Sequence, residues 1–173
     1  DNGGRTAIWT NNGNGTYTAG ALNQGSLNHL GGVVAYDKTG DGFLDFVLAD
    51  SANDSVSFMF NNAGTITTAN GNGFPTGITA GTSILHEIGV VDINNDGVME
   101  VAAHTDIGNQ RTLTVFNHTG ANNTFSGQTN YTNIFRSDGQ NDGGNLSISM
   151  SWADFNGDGW MDLYLNRGAT NAT

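Results

Sequence analysis

Three nine-residue stretches share one arrangement of oxygen-bearing side chains around a glycine. They are Asp37-Lys38-Thr39-Gly40-Asp41-Gly42-Phe43-Leu44-Asp45, Asp92-Ile93-Asn94-Asn95-Asp96-Gly97-Val98-Met99-Glu100 and Asp154-Phe155-Asn156-Gly157-Asp158-Gly159-Trp160-Met161-Asp162. In each, oxygen side chains stand at positions 1, 3, 5 and 9, and glycine stands at position 6. A sharp turn at that glycine lets four side-chain oxygens and the carbonyl of position 7 converge on one hard cation. A single such stretch could be an ordinary turn, because Asp, Asn and Gly are also turn residues. Three in one register, each with three carboxylates, point to metal.

The ligand chemistry is that of calcium. The expected ligands in the first loop are Asp37, Thr39, Asp41, Asp45 and the Phe43 carbonyl. The second uses Asp92, Asn94, Asp96, Glu100 and the Val98 carbonyl. The third uses Asp154, Asn156, Asp158, Asp162 and the Trp160 carbonyl. An EF-hand loop starts the same way but needs a bidentate Glu at position 12 and flanking helices. Position 12 is Leu48, Ala103 or Leu165 here, so position 9 must close the site. The flanks also read as strands. Residues 31–36 and 46–49 surround the first loop, 88–91 and 101–103 the second, and 146–152 and 163–165 the third. They are rich in β-branched and aromatic residues, and 146–152 alternates with period two. Each loop is therefore expected at the tip of a β-hairpin.

An apolar strand, Asp-x-Asn/Asp-x-Asp-Gly-x-x-Asp, and a second apolar strand resemble the FG-GAP/VCBS repeats of integrin-α-like β-propellers. Those repeats occur in integrin α chains and in large bacterial surface and secreted proteins. Literal Phe-Gly and Gly-Ala-Pro tags are absent, Pro75 is the single proline, and the Asn/Thr-rich wording is closer to the bacterial type. The resemblance implies an extracellular or cell-surface location and a role in adhesion or ligand recognition. The partner would be a glycan or protein on a host or neighbouring cell. Two alternatives are a piece of a carbohydrate-active enzyme, such as a polysaccharide lyase, and a calcium-stiffened spacer in a large adhesin. The favoured reading is not an enzyme.

A second hairpin type alternates with the calcium type. Thr6–Thr10, a turn at 11–15 and Thr16–Thr18 form the first. Residues 56–60, 61–64 and 65–67 form the next, followed by 113–116, 117–120 and a strand near Thr124-Phe125. Calcium loops start 55 and then 62 residues apart, and plain turns 50 and then 56 apart. A period of this size holding four strands is a propeller blade. The expected fold is all-β: blades of four-stranded antiparallel sheets with calcium loops in their inner hairpins. The expected division is an outer half-blade at 1–28, blades at 29–83 and 84–145, and an inner half-blade at 146–173. Segments 69–83 and 136–145 read as connections between blades. Two whole blades and two halves fall short of the ~4–8 of an ordinary propeller. The chain, which starts at Asp1 rather than Met, thus reads as a segment completed by other blades of the same protein or by another copy.

Composition excludes several classes. The net charge is −11, nine of the 16 acidic residues lie in the three loops, and three divalent ions would bring the charge to −5. Five Lys plus Arg make no basic patch, which argues against nucleic-acid binding. No apolar run approaches the ~20 residues of a membrane helix, so membrane insertion is not expected. With no cysteine, disulfides and thiolate zinc sites are ruled out; a secreted chain would then need another staple, and calcium can serve. His29, His86, His104 and His118 are scattered, which suits structural roles better than zinc binding. Trp9 and Trp152 are expected to pack within strands, and the Trp160 ring to cover its loop or pack between blades. Asp50, Asp54, Glu87, Asp106, Asp138 and Asp142 show no spacing that singles out a catalytic pair.

Overall fold

The computed structural model describes residues 7–20, 30–50, 55–69, 82–83, 87–107, 110–118, 125–132 and 148–167. These hold thirteen strands, and no helix occurs among the described residues. Neighbouring strands pair antiparallel throughout. Strands β1 (Trp9–Asn11) and β2 (Tyr17–Ala19) form a hairpin. Its turn is shaped by Asn side chains: the Gly13 N–H donates to Asn11 Oδ1 at 2.9 Å and the Thr16 N–H to Asn14 Oδ1 at 3.0 Å. Such local bonds are why Asn-rich stretches turn.

The first full sheet has the order β3 (Leu30–Tyr36), β4 (Asp45–Asp50), β5 (Ser55–Asn62), β6 (Thr65–Ala69). Ala63 and Gly64 close the β5–β6 turn, with φ of 49° and 92°. Two consecutive positive φ angles give the turn whose twist matches the strands it joins.

The second sheet runs β8 (Ile88–Val91), β9 (Glu100–Ile107), β10 (Gln110–His118), β11 (Phe125–Thr132). The short β7 (Thr82–Ser83) also belongs here, pairing with Ile107 and Asp106 of β9. These two residues close the preceding unit in the sequence, yet they pair with a strand more than twenty residues ahead. The rest of the two expected connections, 70–81 and 136–145, lies outside the described residues. A last hairpin joins β12 (Ile148–Ala153) to β13 (Asp162–Arg167).

The second sheet is apolar on both faces, as period-two alternation allows. Val101, Ala103, Ile88 and Phe116 pack with Val47, Ala49, Val56 and Phe58 of the first sheet. Val91, Ala102, Leu113 and Val115 pack with Met150, Trp152 and Leu163 of the last hairpin. The sheets therefore stack face to face, with β8 against both β3 and β12. This is the arrangement of consecutive propeller blades.

One expectation about tryptophan differs from the structure. Trp9 lies in β1 but is 61% exposed, because the two-stranded hairpin has no sheet over that face among the described residues. Trp160, at position 7 of the third loop, is 54% exposed. Trp152 is half-buried in the second core, as expected.

Candidate metal centres

Each acidic loop sits at the tip of a hairpin, between β3 and β4, β8 and β9, or β12 and β13. The three share a backbone conformation. Position 6 has positive φ in all of them: Gly42 at 89°, Gly97 at 83° and Gly159 at 89°. So does position 4: Gly40 at 75°, Asn95 at 57° and Gly157 at 79°. Gly and Asn enter this region most readily. Position 4 was not singled out in the sequence, although Gly, Asn, Gly at one place was the available signal.

Most of the hydrogen bonds recur from loop to loop. In the first, Asp37 Oδ1 accepts the N–H groups of Gly40 at 2.7 Å and Asp41 at 3.2 Å, and Oδ2 accepts that of Gly42 at 2.8 Å. Asp92 accepts from Asp96 at 3.0 Å and Gly97 at 2.8 Å. Asp154 accepts from Gly157 at 2.6 Å, Asp158 at 3.1 Å and Gly159 at 2.8 Å. At position 5, Asp41, Asp96 and Asp158 each accept the N–H of position 7, from Phe43, Val98 and Trp160. At position 3, Asn94 and Asn156 accept the N–H of Asp96 and Asp158. At position 9, Asp45, Glu100 and Asp162 reach back to the N–H of position 2, in Lys38, Ile93 and Phe155.

Position 9 is the most enclosed. Asp45 and Glu100 are buried and Asp162 is half-buried. Asp45 also accepts from Thr39 at 3.2 Å and from the Asn61 N–H at 2.9 Å. The Asn61 Nδ2 returns a bond to the Leu44 carbonyl at 3.2 Å. These contacts tie the first acidic loop to the neighbouring plain turn.

Burial raises the Glu100 carboxyl above the ordinary glutamate value; the Ile93 N–H opposes this, while Asp96 and Asp92 add to it. The Asp154 carboxyl is lowered, first by the Gly159 N–H and then by other backbone N–H groups of its loop. Burial lowers the Lys38 ammonium, with the Asp45 charge opposing. That ammonium lies 5.3 Å from the centre of the Phe58 ring.

All the expected ligand residues of a loop are therefore brought onto one nine-residue turn. Its donor set of carboxylates, amide or hydroxyl oxygen and a peptide carbonyl fits a hard divalent cation. Among the described residues, however, no three His, Cys, Asp or Glu side chains are gathered into a ready-made cage. The carboxylates lie on backbone N–H groups instead. A carboxylate has about four lone-pair positions, so those bonds orient it without exhausting it. Of the histidines, His104 is buried in β9 and its backbone N–H donates to the Glu87 carbonyl at 3.1 Å. His118 ends β10, and His29 and His86 lie outside the described residues.

No curated protein and no solved structure matches the chain. A family model does match, described as an FG-GAP-like repeat, over residues 37–103. The match runs from the first residue of the first loop into β9, and so takes in two acidic loops and the plain hairpin between them. The third loop, outside the match, repeats their hydrogen bonds. Residues 37–103 thus match an FG-GAP-like repeat, and the described strands form an all-β, propeller-type fold.

Proposed function

We propose that the chain is a calcium-binding β-propeller module of a secreted or cell-surface protein, serving adhesion or ligand recognition rather than catalysis. The partner would be a glycan or a protein on a host or neighbouring cell. The observation that carries the calcium reading is the repetition of one carboxylate network in three loops. A plain turn needs one or two side-chain bonds. These loops gather three carboxylates within nine residues, an arrangement of like charges that a divalent cation would offset.

The residues divide the work by position. Asp37, Asp92 and Asp154, gripped by the N–H groups of the turn, anchor one side of each site. Asp41, Asp96 and Asp158 hold the peptide of position 7, whose carbonyl would be a ligand. Asp45, Glu100 and Asp162 close the site from the outgoing strand. Bound Ca²⁺ would supply the positive charge that draws these groups together.

Calorimetric titration with calcium tests this directly. Three equivalents are expected, and Asp41→Ala, Asp96→Ala and Asp158→Ala should each remove one. No uptake at millimolar calcium would end the metal reading. The adhesion reading fails separately if the calcium-loaded module binds neither a glycan array nor intact cells.

A further inference from the structure

The second and third acidic loops touch. Asn95 donates from Nδ2 to the carbonyl of Gly159 at 2.8 Å, across 64 residues of sequence. Asn95 occupies position 4 of its loop at φ 57°, where the other two loops have Gly40 and Gly157. Glycine would meet the backbone requirement with less strain. The side chain at this position therefore adds something the local turn does not need.

Its target is a sensitive point of the third loop. Gly159 stands at position 6, and its own N–H is held by Asp154 Oδ2 at 2.8 Å. The Gly159 carbonyl shares a peptide unit with the Trp160 N–H, which is held by Asp158 Oδ1 at 2.9 Å. That peptide is thus gripped on one edge by its own loop and on the other by Asn95. Its orientation governs both the position-5 carboxylate and the residue whose carbonyl stands at position 7. In turn, the peptide backbone of Asn95 lies between two expected ligands of the second loop, Asn94 and Asp96.

We infer that Asn95 is a positioning residue for the third loop, and that the second and third loops take up cations as a coupled pair. Ordering the second loop sets the Asn95 amide, and the amide sets the Gly159–Trp160 peptide. Linkage makes the effect mutual. The first loop lacks the device at this position, since Gly40 has no side chain. The inference rests on the calcium reading for its ligand, but the contact itself exists without metal.

Terbium luminescence excited through tryptophan reads the third loop, where Trp160 stands at position 7; loss of the signal in Asp158→Ala confirms the assignment. Emptying the second loop with Asp96→Ala should weaken terbium binding at the third about 2- to 10-fold, the effect of one net hydrogen bond. Asn95→Gly should weaken it by the same factor, and Asp96→Ala should then add nothing further. Equal third-loop affinity in the parent and both variants overturns the coupling. Amide hydrogen exchange of Gly159 and Trp160 in chelator gives a metal-free readout, expected to quicken about 2- to 10-fold in Asn95→Gly. If terbium binds nowhere, the metal reading is lost. Exchange rates alone then decide the positioning role, and unchanged rates overturn it.

Discussion

Trp152 stands directly over Gly89. A Cβ built on Gly89 would lie 2.7 Å from the indole Nε1, 3.1 Å from Cδ1 and 3.3 Å from Met150 Sδ. The last hairpin thus approaches the second sheet at a point where only hydrogen fits. Gly32 does the same in the first sheet, where a Cβ would lie 2.9 Å from the Ile88 N. Glycine in the first strand of a unit lets the next unit come close.

Gly89→Ala should therefore destabilise the stack by about 1–3 kcal/mol, the usual cost of overpacking. Urea unfolding and the near-ultraviolet circular dichroism of the tryptophans would measure it. A variant as stable as the parent would mean that the last hairpin slides aside freely.

Removing calcium should lower the melting temperature clearly. For a Kd near ~10 μM and calcium near ~1 mM, each loop adds about 2.7 kcal/mol and three add about 8 kcal/mol. That is comparable to the whole stability of a domain, ~5–15 kcal/mol. Thermal melts with and without EDTA test it. An unchanged melt would show that the loops contribute little to folding.

The first loop should bind most weakly, by about 10-fold. Thr39 offers a hydroxyl where Asn94 and Asn156 offer amide carbonyls. Asp45 is already engaged by three backbone N–H groups, those of Lys38, Thr39 and Asn61. The positive charge of Lys38 also acts on Asp45. One such difference, about 1.4 kcal/mol, is tenfold in affinity. Titrating Asp41→Ala, Asp96→Ala and Asp158→Ala should show the weakest phase missing in Asp41→Ala; the tightest phase missing there would contradict this order.

Glu87 should make the metal-free fold less stable as pH rises. Burial lifts its carboxyl above the ordinary glutamate value. The folded chain then holds a proton at a pH where the unfolded chain, with its pKa near ~4.3, has lost it. That stabilisation is complete below the unfolded value and disappears as pH climbs through the folded one. Glu87→Gln should therefore equal or exceed the parent at neutral pH, and its advantage should shrink in acid. Urea midpoints in EDTA from about pH 4 to 7 would reveal the trend; parallel curves for the two proteins would exclude it.

A buried hydroxyl chain ties strands of the second sheet together. Thr105 and Thr114 lie 2.9 Å apart through their Oγ1 atoms, and Thr114 donates to Asn130 Oδ1 at 3.0 Å. Both threonines are buried. Thr114→Val should cost about 1–3 kcal/mol, because Thr105 loses its closer partner in a buried setting. What Thr105 keeps is a longer bond to the Thr112 carbonyl, at 3.4 Å. The double variant with Thr105→Val should recover some of that loss. Denaturation midpoints of the three variants decide the matter, and additive losses would show that the two hydroxyls are independent.

The acidic loops and their hairpins were legible in the sequence for a physical reason. Bonds from Asp37, Asp92 and Asp154 to the turn N–H groups span three to five residues, and those from position 9 to position 2 span seven. A nine-residue window therefore contains the whole loop. Strands such as β12 were legible too, since period-two alternation puts Met150 and Trp152 on the one face that meets Val91, Ala102 and Leu113.

What the window could not contain, only the tertiary structure decided. Asp45 is closed off by Asn61, and Asn95 finds Gly159 only because two sheets stack with their loops side by side. Thr82 and Ser83 join the second sheet because β9 offers them an edge, and nothing nearby in sequence names that partner. Trp9 and Trp152 read alike as aromatic residues in strands, but one is exposed and the other lies on Gly89. The residue types set the local turns through short hydrogen bonds. Burial depends on which distant surface arrives, and that is a property of the stacked sheets.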